Sequence, residues 1–255
     1  ISIVANDAGA FAQIFAWIKS GMLKIEQCKF CLEGPAAKTF QVQYSDIELL
    51  PLENVLIDAE ILISGTGWAS SLEHNARLFA KKSGITSIAV IDHWINYRER
   101  FIRENVEVMP DKIWVSDKFA YLEAKRCFPN IEIIQKKNDY LKSQVDDVLS
   151  CKFDRQKGLT NVLYVLEPIR DPWAGNKMLG EFQALEFFFN LIPSLNLGDS
   201  LSIVLKPHPS DHEDKYDHWV NSLSLSNLKI ERKKSLANLI AWSDIVVGCE
   251  SYAMV

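Results

Sequence analysis

The stretch Ser202–Asp211, SIVLKPHPSD, concentrates more chemistry than any other in the chain. An apolar run, Leu201 with Ile203, Val204 and Leu205, stops at Lys206-Pro207-His208-Pro209. Two prolines fix two φ angles and remove two backbone donors, so a buried strand is expected to end in a stiff loop that presents an ammonium and an imidazole. In open α/β sheets, ligands bind at the carboxyl ends of strands. There His208 can donate a hydrogen bond to a phosphate, and Lys206 either adds charge or reaches back into its own domain.

Similar strand-to-loop junctions recur. Asn6-Asp7-Ala8-Gly9 follows the run Ile1–Ala5 and opens a helix; it reads as an anion site or as an Asx-type helix cap. Ser64-Gly65-Thr66-Gly67 follows Ile61–Ser64, and Gly65 and Gly67 would let a ligand approach the backbone, or simply allow a tight turn. Asp92-His93-Trp94 follows the apolar run Ile88–Ile91. A carboxylate at that edge, partly desolvated, suits a general base, and His93 is the other candidate there. The competing reading makes Asp92 a helix cap and Arg98 and Arg100 solvated charges. Gly248-Cys249-Glu250-Ser251 follows the last apolar run, so Ser251 and Glu250 join Lys206 and His208 as phosphate-binding candidates. Glu167 and Arg170 stand after Asn161–Leu166, and Arg170 suits a phosphate or a sugar carboxylate.

These junctions need a scaffold of alternating strands and helices, and the hydrophobic periodicity supplies one. Strands are expected at 1–5, 29–32, 61–64, 86–91, 112–115, 131–134, 161–166, 201–205, 228–231 and 245–247. Helices are expected at 10–19, 70–82, 118–127, 176–191 and 235–241, the last capped by Ser235. Glu33-Gly34-Pro35 reads as a closing turn. The polar stretch Asp139–Gly158 reads as a surface helix plus linker. The expectation is therefore an α/β chain of two Rossmann-like domains facing a cleft, 1–150 and 158–255. The chain opens on Ile1 and ends in what reads as the first turn of a helix, so the C-terminal domain is expected to be incomplete.

The 255 residues carry a net charge of −5 and no basic patch, which argues against a nucleic-acid partner. No apolar stretch approaches a membrane span, and no signal peptide is evident. Five scattered cysteines point to a reducing, cytoplasmic compartment. The C-x-x-C of Cys28 and Cys31 lacks a second pair, and His208 and His212 are separated by Pro209, so no metal site is expected. No G-x-S-x-G, Walker loop or G-x-G-x-x-G is present, which argues against a serine hydrolase, a P-loop NTPase and a dinucleotide oxidoreductase.

Val204–Pro209 (VLKPHP) and Ser235–Ser251 (SLANLIAWSDIVVGCES) together resemble the donor domain of GT-B fold glycosyltransferases. Within that class, Lys-Pro-His-Pro is similar to the His-Pro motif of bacterial sialyltransferases and Kdo transferases. The resemblance covers about residues 160–255; residues 1–150 share only the architecture. It implies an inverting, metal-independent transferase without further cofactor. Its donor would be CMP-activated, a sialic- or legionaminic-type nonulosonic acid or Kdo, and its acceptor a glycan or glycolipid in surface polysaccharide synthesis, with peripheral membrane contact. His208 and Ser251 would meet the donor phosphate. The family's base is an acidic residue at a strand end of the first domain, which maps to Asp92. This chain has Asp92-His93-Trp94 where the family has paired acidic residues before a glycine, and Asp7 is a rival. A CDP-glycerol-type polymer transferase, a UDP-sugar epimerase and a non-catalytic nucleotide-binding protein are the alternatives.

Overall fold

The computed structural model describes residues 1–67, 70–153, 158–173, 175, 177–195, 200–208, 211–223, 225–249, 251 and 254. The chain divides into two compact units, Ile1–Ser143 and Gln144–Val255.

The first unit follows a repeated strand–helix pattern. Its elements are β1 (Ser2–Ala5), α1 (Ala8–Lys19), β2 (Lys29–Leu32), α2 (Gly34–Gln41), α3 (Leu52–Leu56), β3 (Ile61–Ser64), α4 (Leu72–Ser83) and β4 (Thr86–Val90). A two-stranded antiparallel ribbon, β5 (Ile102–Arg103) and β6 (Val106–Glu107), interrupts it before β7 (Lys112–Val115), α5 (Lys118–Cys127) and β8 (Glu132–Gln135); α6 (Asp139–Ser150) carries the chain from the first unit into the second. Six strands form one parallel sheet in the order β2-β1-β3-β4-β7-β8. The central strands are apolar runs buried on both faces, as a parallel sheet requires, while the edge strand β8 has exposed polar ends. The residues of α1 are mostly apolar, and Phe11, Ile14, Phe15, Trp17 and Ile18 are buried with Phe30 and Phe40. On a second cluster, Leu72, Ala76 and Ala80 of α4 meet Val4 and Leu62, while Ala120 and Ala124 of α5 meet Ile113 and Ile133 in a third.

Growth of the sheet reverses at β1: β2 lies on one side of it and β3 on the other. That switch point leaves a crevice beyond the strands' carboxyl ends, where the loops after β1 and β3 emerge.

The second unit repeats the plan with fewer strands: β9 (Thr160–Val165), α7 (Gly180–Leu191), β10 (Leu201–Lys206), α8 (Asp217–Leu223), β11 (Leu228–Ile230), α9 (Leu236–Trp242) and β12 (Ile245–Val247). Its parallel sheet has the order β11-β10-β9-β12, so the switch falls between β9 and β12. Tyr164, Leu185, Leu205 and Tyr216 build one core cluster, and Leu163, Val165, Val204 and Leu239 another.

Two expectations change. Glu33-Gly34-Pro35 does not close a turn but starts α2: Pro35 lies in the first turn, where its missing N–H costs nothing, and Gly34 adopts φ +52°. The helix expected from Asn176 begins at Gly180. Among the described residues, no helix is long and apolar enough to cross a membrane.

Candidate functional site

In the first unit, the strand ends bring acids together. Asp7 is the N-cap of α1, its Oδ1 accepting from Ala10 N at 3.1 Å. The backbone N–H of Asn6 donates to Glu73 Oε1 of α4 at 2.8 Å, while Glu73 Oε2 is buried without a hydrogen-bond partner. Asp92, one residue beyond Ile91 at the end of β4, caps no helix. It pairs with Arg100 instead, Nη1 to Oδ1 at 3.3 Å, and the two side chains are only 7% and 18% exposed. Arg100 is therefore no solvated charge. Its Nη1 also donates to the Thr66 carbonyl and hydroxyl, at 3.4 and 3.3 Å, and its Nε to Ile95 O at 3.3 Å. The Thr66 hydroxyl passes its own proton to Val90 O at 2.9 Å. Arg98, by contrast, is exposed and donates to Cys127 O at 3.1 Å.

The glycines in these loops do work the sequence did not reveal. A Cβ on Gly9 would lie 1.8 Å from Asp92 Oδ2 and 3.7 Å from Asp7 Oδ1, so both carboxyl groups border the same small space. A Cβ on Gly67 would lie 2.1 Å from Asp7 Oδ2. A Cβ on Gly65 would lie 3.0 Å from Glu73 Oε1. Arg77 of α4 secures the β3 loop, Nη1 donating to Ser64 Oγ at 3.1 Å and Gly65 O at 2.9 Å, and Arg103 donates to the Gly67 carbonyl.

Burial, then the charges of Asp92 and Glu73, push the Asp7 carboxyl up to about 7, against the smaller opposing pull of the Ala10 amide and Arg100. A carboxyl group poised there can hold or release a proton at neutral pH. His93 Nδ1 accepts from Trp94 N at 3.0 Å, and Trp94 Nε1 donates to Asp117 Oδ2 at 3.0 Å.

The second unit places its predicted residues at the ends of β9, β10 and β12. Glu167 follows β9, and its Oε1 accepts from both Cys249 N and Ser251 N at 2.9 Å. The Ser251 amide, expected to receive a phosphate, thus already holds an anion. Glu250 lies outside the described residues. Lys206 reaches back, donating to Arg232 O at 2.9 Å and Lys234 O at 2.8 Å; burial lowers its pKa. Arg170 is exposed. His208 is exposed, and partial desolvation lowers its pKa against the pull of Asp211 and Glu167.

Beside His208 stands a network absent from the sequence reading. Asp211 N donates to His208 O at 2.9 Å. Lys215 Nζ lies 2.7 Å from both Asp211 Oδ1 and Glu181 Oε1, whose side chains are buried, and Tyr216 OH donates to Asp211 Oδ2 at 3.1 Å. Gly180 seats the adjoining loop, since a Cβ there would lie 2.5 Å from Ile169 Cγ2 and 2.8 Å from Asp171 O. The i,i+4 spacing of Asp211 and Lys215 was the one trace of this network in the sequence. Among the described residues, no three His, Cys, Asp or Glu side chains converge in a metal-holding arrangement.

No protein-family model and no curated protein matches the chain. Solved structures do. A UDP-GlcNAc 2-epimerase from Neisseria meningitidis bound to UDP-GlcNAc superposes with a TM-score of 0.66 at 11% identity, over 99% of this chain and 78% of that one. A putative UDP-N-acetylglucosamine 2-epimerase from Listeria monocytogenes gives 0.61 at 10%, over 100% and 75%. The apo structure of OtsA gives 0.53 at 10%, over 96% and 77%. At such identities the likeness speaks for the backbone alone, and with the two parallel sheets it establishes an α/β chain of the GT-B type, built from two Rossmann-like units.

Proposed function

We propose that the chain is a nucleotide-sugar enzyme, an inverting glycosyltransferase. The observation that carries this reading is the pair of acidic side chains, Asp7 and Asp92, seated at the β1 and β4 strand ends by Gly9 and Gly67. In this reading Asp92 is the general base. The acceptor's hydroxyl oxygen bonds to the anomeric carbon while its proton passes to Asp92; the bond from that carbon to the phosphate oxygen breaks, and its electron pair leaves with the nucleotide. His208 and Arg170, with the Cys249 and Ser251 amides once the phosphate displaces Glu167 from them, meet the charge that develops on the departing phosphate, and the proposed step uses no metal. Lys206 serves the loop that carries His208 rather than the phosphate. The first unit takes the acceptor role and the second the donor role.

The donor proposed is a CMP-activated nonulosonic acid or CMP-Kdo, on the strength of the Lys206-Pro207-His208-Pro209 resemblance, with a glycan or glycolipid acceptor. A second reading, a UDP-sugar epimerase, is favoured by the likeness to two proteins named as UDP-GlcNAc 2-epimerases. One experiment separates them. CMP, CDP, UDP and GDP are screened by thermal shift, because a ligand that binds only the folded state raises Tm. The sugar nucleotide of the best binder is then incubated in D₂O with and without acceptor sugars. Acceptor-dependent release of CMP, abolished in Asp92→Asn while the thermal shift persists, supports the transferase. Deuterium entering C2 of UDP-GlcNAc without acceptor supports the epimerase and overturns it.

A further inference from the structure

We propose that Arg100 is the positioning residue of the acidic site: by clamping Asp92 it makes Asp92 and Asp7 a one-proton pair, with the proton resident on Asp7. Its catalytic use rests on the function proposed above; the shared proton does not.

The argument is geometric. Both carboxyl groups border the space beside Gly9, where Asp92 leaves no room for a methyl group and Asp7 lies within van der Waals reach of one. The guanidinium at this spot is built onto one of them: Arg100 contacts Asp92 and is held by Thr66 and the Ile95 carbonyl, so its direction is set from three sides. Thr66 is in turn fixed to Val90 O, on the same strand that delivers Asp92. Glu73 approaches from α4, fully engaged at one oxygen with Asn6 N and buried at the other. The charged groups facing Asp7 are therefore Asp92 and Arg100 from the β4 connection and Glu73 from α4, with Arg103 over the Gly67 carbonyl and Arg77 on the Gly65 carbonyl. Two like charges bordering one partly buried space do not both ionise readily, and the member without the guanidinium is the one that keeps the proton. The raised Asp7 pKa agrees with that assignment.

The division of labour follows. Asp92 is free to receive a proton from an incoming hydroxyl, and Asp7 can pass its own proton on, so the pair offers an acid and a base side by side at neutral pH. Asp7 also caps α1, which keeps its carboxyl oriented whatever its protonation.

Carboxyl ¹³C NMR of aspartate-labelled whole chain tests this without needing turnover. In the wild type the Asp7 resonance is expected to titrate near neutrality. Asp92→Asn removes the neighbouring charge and should lower the Asp7 midpoint by about one unit or more. Arg100→Gln should raise it, and Arg100→Lys should bring it back toward the wild-type value. An Asp7 midpoint unmoved by Asp92→Asn, or identical in Arg100→Gln and wild type, overturns the proposal. Should Arg100→Gln fail to fold, Asp92→Asn and the charge-conserving Arg100→Lys decide it. A nucleotide screen without any Tm shift would sink the proposed function and leave the NMR result standing.

Discussion

Each unit gathers carboxylates about a cation, Glu181 and Asp211 about Lys215 in the second and Asp7, Asp92 and Glu73 about Arg100 in the first, and the two clusters behave differently. In the second unit, Lys215 sits between Glu181 and Asp211 at 2.7 Å from each, and Tyr216 adds a hydroxyl proton to Asp211. Lys215 thus touches both acids, while Glu181 Oε2 is buried without a hydrogen-bond partner. In the first unit, Arg100 is spread over Asp92, Thr66 and Ile95, and burial with the neighbouring acids raises the Asp7 carboxyl to about 7. Acids grouped with a cation thus brace the fold in one place and raise a carboxyl pKa in the other. What separates them is whether the cation stands between the acids or to one side.

The comparison breaks most visibly at Lys215. Lys215→Met leaves Glu181 and Asp211 buried and uncompensated, and should cost about 3–5 kcal/mol in urea unfolding of the second unit. A cost no larger than that of an exposed lysine would remove the scaffold reading. Next is Asp7→Asn. The folded-state pKa of Asp7 is raised from 3.8 to about 7, so the native state binds the extra proton across that window. Stability therefore falls as pH rises from about 4 to about 7, and the penalty is complete above it. Asn still caps α1 but cannot ionise. Asp7→Asn should gain on the order of 3 kcal/mol over wild type at pH 8 and nothing at pH 4, by denaturant titration at both. Equal gains at the two pH values would show that charge is not the cause.

Gly9→Ala comes third. The methyl group would land on Asp92 Oδ2 and push it off Arg100, at a cost of about 1–3 kcal/mol in calorimetry, and of transferase turnover if the proposed function holds. A neutral Gly9→Ala would mean the two acids do not border one space. The smallest effect is expected for Tyr216→Phe, about 1 kcal/mol, because Asp211 keeps its contact with Lys215.

Much of the scaffold was legible from hydrophobic periodicity. The strands at Lys29–Leu32, Ile61–Ser64, Lys112–Val115 and Ile245–Val247 and the helix at Lys118–Cys127 stand where the apolar spacing put them. Helix α2 was hidden because Gly-Pro reads as a break, although proline is equally at home in a first helical turn. Helix α8 and the β5–β6 ribbon are too short to impose a period. The positions of the acidic residues at strand ends could be read; their partners could not. Arg100 is one charge among several in Tyr97–Phe101, and only the single 3₁₀ turn Glu99–Phe101 turns it inward. Glu181 and Lys215 meet across the fold, a pairing no local pattern encodes. Gly9 and Gly67 invited a reading of close ligand approach because glycine marks such approach without saying what approaches; the protein's own carboxyl groups come close there.

The Glu167 carboxylate, seated on two backbone amides after β12, acts as a tethered competitor. Any free anion bound by those amides must evict a group whose effective molarity is far above its own concentration. Occupancy would then liberate the side chain at the end of β9, converting ligand arrival into a local rearrangement, and affinity would depend on how readily that internal stopper lets go.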